Sequence, residues 1–141
     1  MSRDTSLVSG DWVTENINNP KVVIVEVDED TTLYEQGHIE SAITFHWRDD
    51  LQDGLIRDLI SKEKFEALLS KSGIANDSTV ILYGGNNNWF ATYAFWYFKV
   101  YGHQDVRLLD GGRKRWELDA RPFVSEVPSR TLTHYVASER D

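Results

Sequence analysis

Short runs of β-branched and aliphatic residues, separated by helix-like stretches, constrain the fold most. Residues 22–27 read Val-Val-Ile-Val-Glu-Val, and residues 79–83 and 106–109 form two further runs. Such runs are typical of strands that are buried on both faces of a parallel sheet. Residues 42–45 add a short fourth strand, and residues 7–8 the start of a fifth. This alternation predicts an α/β fold with a mostly parallel central sheet.

Capping residues mark the helices between these strands. A Ser hydroxyl can accept a hydrogen bond from a free N–H at a helix start, and Gly readily adopts the positive φ found at helix ends. Four helices are predicted on this basis, with Ser9 and Ser61 as the first two N-caps, Gly73 and Gly102 ending the second and third, and Gly111–Gly112 opening the last.

The third helix, which begins near Trp89, is apolar on nearly all sides. Within residues 89–101 only Thr92 and Lys99 are plainly polar. Two interpretations remain open. The tyrosines of the helix could keep their hydroxyls in water while their rings pack, or a partner subunit or missing domain could cover the helix.

Composition excludes several classes of function. The 141 residues suit one globular domain, and a formal net charge of −8 argues against a nucleic-acid partner. The basic triplet Arg113, Lys114 and Arg115, flanked by Asp110 and Glu117, is interpreted as a solvated helix face. The chain contains no cysteine, which removes disulfides, thiolate metal sites and every cysteine-based mechanism.

Further sequence signals bear on cofactors and location. The histidines lack metal-ligand spacing, so we expect no metal and no cofactor. No apolar run approaches the about 20 residues of a membrane helix, and the polar N-terminus lacks the apolar stretch of a signal peptide. We therefore expect a cytoplasmic location without a membrane partner.

The loop at residues 84–89, Gly-Gly-Asn-Asn-Asn-Trp, is the strongest site candidate. A loop between a buried strand and a helix start gathers free N–H groups that can cradle an anion such as sulfate or thiosulfate. Alternatively, Gly84 and Gly85 supply positive φ for a structural turn, and the Asn side chains satisfy backbone groups. We favour the turn, because the loop has no cationic side chain and neither a thiolate nor a carboxylate.

Three motifs occur in order along the chain. They are Gly-His-Ile-Glu-Ser-Ala at 37–42, the strand 80–83 followed by a six-residue loop, and Leu-Leu-Asp-Gly-Gly at 108–112 with Trp116. Together they resemble a rhodanese domain, the fold of thiosulfate sulfurtransferases, over residues 7–122. The first motif departs from the family's Gly-His-Ile-Pro-Gly-Ala at Glu40 and Ser41. The resemblance implies a three-layer fold, with helices on both faces of a sheet of about five strands.

The similarity is closer to the N-terminal half of tandem two-domain sulfurtransferases. Residues 72–77, 89–96 and 101–103 all look like that half. In such proteins a cysteine of the C-terminal domain cycles through a persulfide and passes sulfane sulfur from thiosulfate to an acceptor such as cyanide. Gly84 occupies the equivalent position here. The resemblance thus implies a non-catalytic rhodanese-like domain at residues 1–122 and an interdomain linker or extended tail at 123–141.

The resemblance, the aromatic excess and the end of the strand at 22–27 together suggest two groups of site residues. A vestigial active-site loop would comprise Gly84, Gly85, Asn86, Asn87, Asn88 and Trp89. An interdomain cleft would be lined by Asp28, Glu29, Asp30, Trp89 and Phe90. The three acidic residues could also form a general acid–base pair or a cation site, although we favour a solvated loop or interdomain rim. His38 is predicted to be structural.

Two functions are compatible with these expectations. In the first, the chain shapes the cleft of a thiosulfate sulfurtransferase, and its partner is the C-terminal catalytic domain of the same polypeptide. In the second, it is a stand-alone pseudoenzyme that binds an anion or a protein through the 84–89 loop and the aromatic helix. In either case, the isolated domain could also self-associate through the aromatic helix. Without a cysteine we expect the chain alone to be inactive, because sulfane-sulfur transfer needs a sulfur acceptor.

Overall fold

A five-stranded parallel sheet forms the centre of the computed structural model. The strand order is β1-β5-β4-β2-β3, and every strand pair is parallel. The structure describes residues 7–17, 19, 21–28, 34–35, 37–46, 62–84, 89–103, 105–110, 112–119, 121, 123–124, 133 and 135. The elements are β1 (Leu7–Val8), α1 (Gly10–Asn16), β2 (Val22–Asp28), β3 (Ile43–His46), α2 (Lys62–Lys71), β4 (Thr79–Tyr83), α3 (Trp89–Val100), β5 (Val106–Leu109) and α4 (Gly112–Leu118). The predicted parallel sheet is confirmed.

Helices cover both faces of this sheet, as the resemblance implied. Alternate residues of a strand point to opposite faces, which assigns the residues of β2 to two separate cores. Val23, Val25 and Val27 pack with side chains of α2 and α3. Val22 and Ile24 pack with α1 and α4 on the other face. The molecule is therefore a three-layer α/β/α structure.

The predicted helix ends are confirmed where the structure describes them. Ser9 is the N-cap of α1, and its Oγ accepts a hydrogen bond from the Trp12 N–H at 3.1 Å. Gly73 and Gly102 adopt positive φ values of 78° and 82° after α2 and α3. Ser61 and Gly111, the other two predicted boundary residues, lie outside the described residues.

Replacing Ser9 with alanine should lower the free energy of unfolding by about 1 kcal/mol, because the Trp12 N–H would lose its acceptor. Ser9→Asp should retain most of the stability, since a carboxylate can accept the same bond and suits a helix N-terminus. Urea unfolding followed by far-UV circular dichroism would measure both variants. Equal losses in the two variants would contradict a capping role.

One face of the aromatic helix α3 is buried against the sheet. Tyr97 is 4% exposed, and Tyr101, which follows the helix, is 6% exposed. Trp96, by contrast, is 51% exposed. Part of the apolar excess is therefore explained by the chain's own core. Among the described residues, no helix is both long and apolar enough to cross a membrane.

The strand order changes direction between β2 and β4. From β2 the sheet continues to β3 on one side, and from β4 it continues to β5 on the other. In open α/β sheets, ligands commonly bind at the carboxyl ends of the strands at such a switch point. Glu26 of β2 and Tyr83 of β4 are register partners near the carboxyl ends of these two strands.

Candidate functional site

Gly84 lies at the carboxyl edge of the sheet, immediately after β4. It is buried, and its carbonyl accepts a hydrogen bond from the Arg113 N–H of α4 at 3.0 Å. The position that the resemblance equates with a nucleophile is thus anchored to α4 through its backbone. Residues 85–88 of the predicted vestigial loop lie outside the described residues.

A buried ion pair supports this edge of the sheet. The Arg113 Nη1 donates to Oε1 of Glu26 at 2.7 Å, and the two side chains are only 11% and 0% exposed. The Arg113 Nη2 donates to the carbonyl of Gly37. A buried charge must be paired, because removing it from water otherwise costs several kcal/mol. Arg113 therefore joins the segment around Gly37, strand β2 and the backbone of Gly84.

This arrangement corrects the interpretation of the basic triplet. Lys114 and Arg115 are exposed as predicted, but Arg113 faces inward. The sequence contained one signal for a buried charge here, because Glu26 interrupts an otherwise apolar strand. The packing of α4 against the sheet decides which cationic side chain pairs with Glu26, and that packing could not be predicted from the sequence. Because Glu26 neutralises Arg113, the pair adds no net positive charge beneath the predicted anion cradle.

Tyr83 extends the same network on the α1/α4 face. Its hydroxyl accepts a hydrogen bond from the Ile39 N–H at 3.2 Å. Burial first, and the nearby Glu26 carboxylate second, raise the pKa of Tyr83 well above its ordinary value, so the phenol stays protonated. Oε2 of Glu26 has no well-formed hydrogen bond to the described residues. The Tyr83 phenol and the Glu26 carboxylate nevertheless interact within the same buried network.

His38 is packed and hydrogen-bonded in the same region. Its Nδ1 lies 2.8 Å from the Tyr34 carbonyl and therefore carries the proton, and the two rings stack with centroids 3.8 Å apart. The hydroxyl of Tyr34 donates to the Ala42 carbonyl, and burial, followed by Glu26, raises the pKa of Tyr34 to about 12. These contacts fit the structural role predicted for His38.

The segment after α4 is attached to this site. His38 and Val124 form an antiparallel bridge through two backbone hydrogen bonds of 2.8 and 2.7 Å. The ring of Phe123 lies 4.3 Å from the Arg113 guanidinium carbon, close enough for a cation–π interaction. A Cβ added at Gly37 would lie 3.1 Å from Cβ of Phe123, so a larger residue at position 37 would crowd this contact.

The remaining predicted site residues are located only in part. Asp28 is the last residue of β2 and pairs with His46 of β3, while Glu29 and Asp30 lie outside the described residues. Trp89 and Phe90 form the first turn of α3, but their side chains are not among those described. The cleft therefore remains a prediction.

The described side chains at this edge support structure more readily than reaction chemistry. Glu26, Arg113, Tyr83 and His38 all interact with one another or with the backbone. No group of three or more metal-ligating side chains occurs among the described residues. With no cysteine in the chain, a sulfur nucleophile is also absent.

Known proteins similar in sequence are about twice as long as this chain. A protein of Mycolicibacterium smegmatis named "Putative thiosulfate sulfurtransferase" is 61% identical over all 141 residues, which make up 51% of its own length. "Sulfur carrier protein TtuD" of Thermus thermophilus is 51% identical over 135 residues, covering 96% of this chain and 47% of that protein. The chain thus spans about half the length of these relatives.

Solved structures show the same fold at lower sequence identity. SseA of Escherichia coli, described as a 3-mercaptopyruvate sulfotransferase with the rhodanese fold, matches with a TM-score of 0.86 at 22% identity, over 96% of this chain and 56% of that one. Tum1 of Saccharomyces cerevisiae matches with a TM-score of 0.79 at 20% identity, over 95% and 50% of the two chains. The family model of the rhodanese-like domain matches residues 9–119. With that match over most of its length and this fold, the chain belongs to the rhodanese-like domain family.

Proposed function

We propose that the chain is the non-catalytic, N-terminal rhodanese domain of a two-domain thiosulfate sulfurtransferase. The observation that carries this proposal is the coverage: relatives 61% and 60% identical over the whole chain extend to about twice its length. The simplest explanation of the additional length is a second rhodanese domain in the same polypeptide. That domain would supply the cysteine that this chain lacks.

The residue at the nucleophile position supports the non-catalytic assignment. Gly84 has no side chain, and its carbonyl accepts a hydrogen bond from the Arg113 N–H. Persulfide chemistry requires a sulfur atom that can accept and release sulfane sulfur, and the whole sequence contains one methionine and no cysteine. A methionine thioether has no ionisable S–H and cannot replace the thiolate.

The proposed role is to shape the cleft that the catalytic domain uses. Asp28 ends β2 and Trp89 begins α3, so both belong to the carboxyl edge where α/β proteins bind ligands. In this proposal Trp89 and Phe90 close the cleft against water, and residues 28–30 form its acidic rim. A substrate anion would then be held by the catalytic domain, since the net charge of this chain is −8.

Residues 123–141 are proposed to begin the connection to the second domain. The family match ends at residue 119. Val124 and Tyr135 nevertheless contact the domain through His38 and His103. A connector fixed at two points would limit how far the second domain can move relative to the first. It would thereby help to hold the cleft in one geometry.

Intact mass spectrometry of the native gene product tests the assignment. We expect a species of about twice this chain's mass of 16.3 kDa, with a cysteine in its second half. A native product of 16.3 kDa would overturn the proposal. It would support the alternative of a stand-alone pseudoenzyme that binds an anion or a protein.

The cleft assignment has its own test in the two-domain protein. Replacing Trp89 and Phe90 together with alanine should lower kcat/KM for thiosulfate by about tenfold or more, because the site would lose apolar contacts and admit water. Trp96→Ala is the matched control, because Trp96 lies two turns further along α3 and is 51% exposed. Normal thiosulfate:cyanide kinetics in the double variant would exclude the cleft role without affecting the mass test.

A further inference from the structure

Residues Thr133 and Tyr135 pack beside the end of α2. The Thr133 N–H donates to the Ser70 carbonyl at 3.0 Å, and its hydroxyl donates to the Ile74 carbonyl at 2.7 Å. The Tyr135 N–H donates to Oγ of Ser70 at 2.9 Å. Tyr135 is 2% exposed and packs against Phe65 of α2. Tyr135 is therefore part of the core, although it lies beyond the family match.

His103, which follows α3, binds the hydroxyl of Tyr135. Its Nε2 lies 2.8 Å from the Ser78 carbonyl, and its Nδ1 lies 2.7 Å from the Tyr135 hydroxyl. A carbonyl only accepts hydrogen bonds, so Nε2 must carry a hydrogen. In the neutral ring Nδ1 is then a bare acceptor, and the Tyr135 O–H donates to it. The neutral form of His103 thus satisfies every polar group of the pair.

The surroundings disfavour a positive charge on the His103 ring. The residue is 3% exposed, and the Phe98 ring packs against it edge-on at 5.4 Å. Burial is the largest influence and lowers the pKa of His103, with Lys99 acting in the same direction and Asp105 and the Ser78 carbonyl opposing it.

The other charged neighbours do not reverse the preference of His103 for its neutral form. Asp105 is held by Arg107 at 2.9 Å and by the Thr79 hydroxyl at 2.8 Å. Burial, with a smaller contribution from Glu66, raises the pKa of Tyr135, so the phenol remains a hydrogen-bond donor. The pair is therefore a neutral imidazole facing a neutral phenol.

We propose that His103 and Tyr135 form a protonation-sensitive clasp that holds the segment at residues 133–135 on the domain at neutral pH and releases it when His103 gains a proton. Protonation places a hydrogen on Nδ1, so the Tyr135 O–H loses its acceptor. It also introduces a charge at a buried position beside the Phe98 ring. This inference rests on the described contacts and does not depend on the proposed function.

The direction of the pH effect follows from proton linkage. In the released state His103 is exposed to water and has an ordinary pKa of about 6.5, whereas burial lowers it in the closed state. The released state therefore binds more protons as the pH falls. The clasp is fully closed above about pH 6.5 and is lost progressively as the pH falls from there through the lowered pKa of the closed state.

Amide hydrogen exchange on the unmodified 141-residue chain tests this proposal. The quantity to measure is the protection factor of the Thr133 and Tyr135 amides divided by that of the β4 amides. As the pH is lowered from about 6.5 to the pKa of His103 in the closed state, this ratio should fall by up to about tenfold per pH unit. In His103→Gln, which retains a donor for the Ser78 carbonyl but cannot titrate, this ratio should not change with pH. Tyr34→Phe removes a different buried tyrosine hydroxyl, so its protection ratio should depend on pH in the same way as that of the unmodified chain. A ratio in the unmodified chain that is independent of pH would overturn the proposal, as would an unchanged pH dependence in His103→Gln.

The tautomer of the His103 ring provides a second test that needs no variant. Nitrogen-15 NMR near neutral pH should show a neutral ring with hydrogen on Nε2 and none on Nδ1. A ring that carries hydrogen on Nδ1 at neutral pH, whether neutral or charged, would overturn the clasp. The Tyr135 hydroxyl would then have no acceptor there.

Discussion

Replacing Arg113 with methionine is expected to lower the free energy of unfolding by about 3–5 kcal/mol, because it leaves the fully buried carboxylate of Glu26 without its counter-ion. The Gly37 carbonyl would also lose a donor, and Phe123 would lose its cation–π contact. Urea unfolding monitored by tryptophan fluorescence and circular dichroism would measure the change. A loss of this size is a large fraction of the stability of a typical domain.

Two matched variants distinguish the loss of the buried ion pair from the general effect of a substitution in α4. Arg115→Met changes the same residue type on the same helix, but Arg115 is 60% exposed and its partner Asp119 lies at 3.3 Å. That change should cost less than about 1 kcal/mol. Combining Glu26→Gln with Arg113→Met removes both charges and should recover part of the loss. Equal losses for the Arg113 and Arg115 variants would refute a supporting role for the buried pair.

Replacing Tyr135 with alanine should also cost about 3–5 kcal/mol, because Tyr135 is a buried aromatic residue and its removal leaves a cavity beside Phe65. Nδ1 of His103 would lose its donor as well. Thermal and chemical unfolding of the 141-residue chain would measure the effect. A loss of this size in the free energy of unfolding is typical of replacing a core residue, whereas a residue in a solvated linker would cause a much smaller loss.

The control for this prediction is Trp96→Ala. Trp96 is a larger aromatic residue but is 51% exposed, so its removal should cost less than about 1 kcal/mol. Tyr135→Phe retains the ring and should fall between the two, since it removes only the hydroxyl that His103 binds. If Tyr135→Ala were as mild as Trp96→Ala, the segment at residues 133–135 would not belong to the folded core.

The fold was predictable because its signals are local in the sequence. The apolar runs gave the strands, and Ser9, Gly73 and Gly102 marked helix ends where a particular side chain or backbone conformation is required. Each of these signals acts within a few residues. The parallel arrangement followed from the alternation of strands and helices, because parallel strands need a crossover connection.

The candidate site was predictable only in outline. The lack of cysteine could be read directly, whereas the vestigial active-site loop that begins at Gly84 stays a prediction. The interpretation of Arg113 as solvated was wrong, because charge patterning along one helix does not reveal which side chain faces the sheet. The interdomain role of Trp89 and Phe90 stays a prediction.

The amino-acid sequence by itself determined the α/β architecture, the resemblance to the rhodanese-like domain family and the absence of cysteine, because each is encoded by residue types and short spacings. The tertiary structure alone decided the pairing of Glu26 with Arg113, which are 87 residues apart, and of His103 with Tyr135, which are 32 apart. A buried polar group has to find its partner among the groups that packing brings within about 3 Å. That choice depends on which faces and edges of the layers meet, and no local pattern in the chain specifies it.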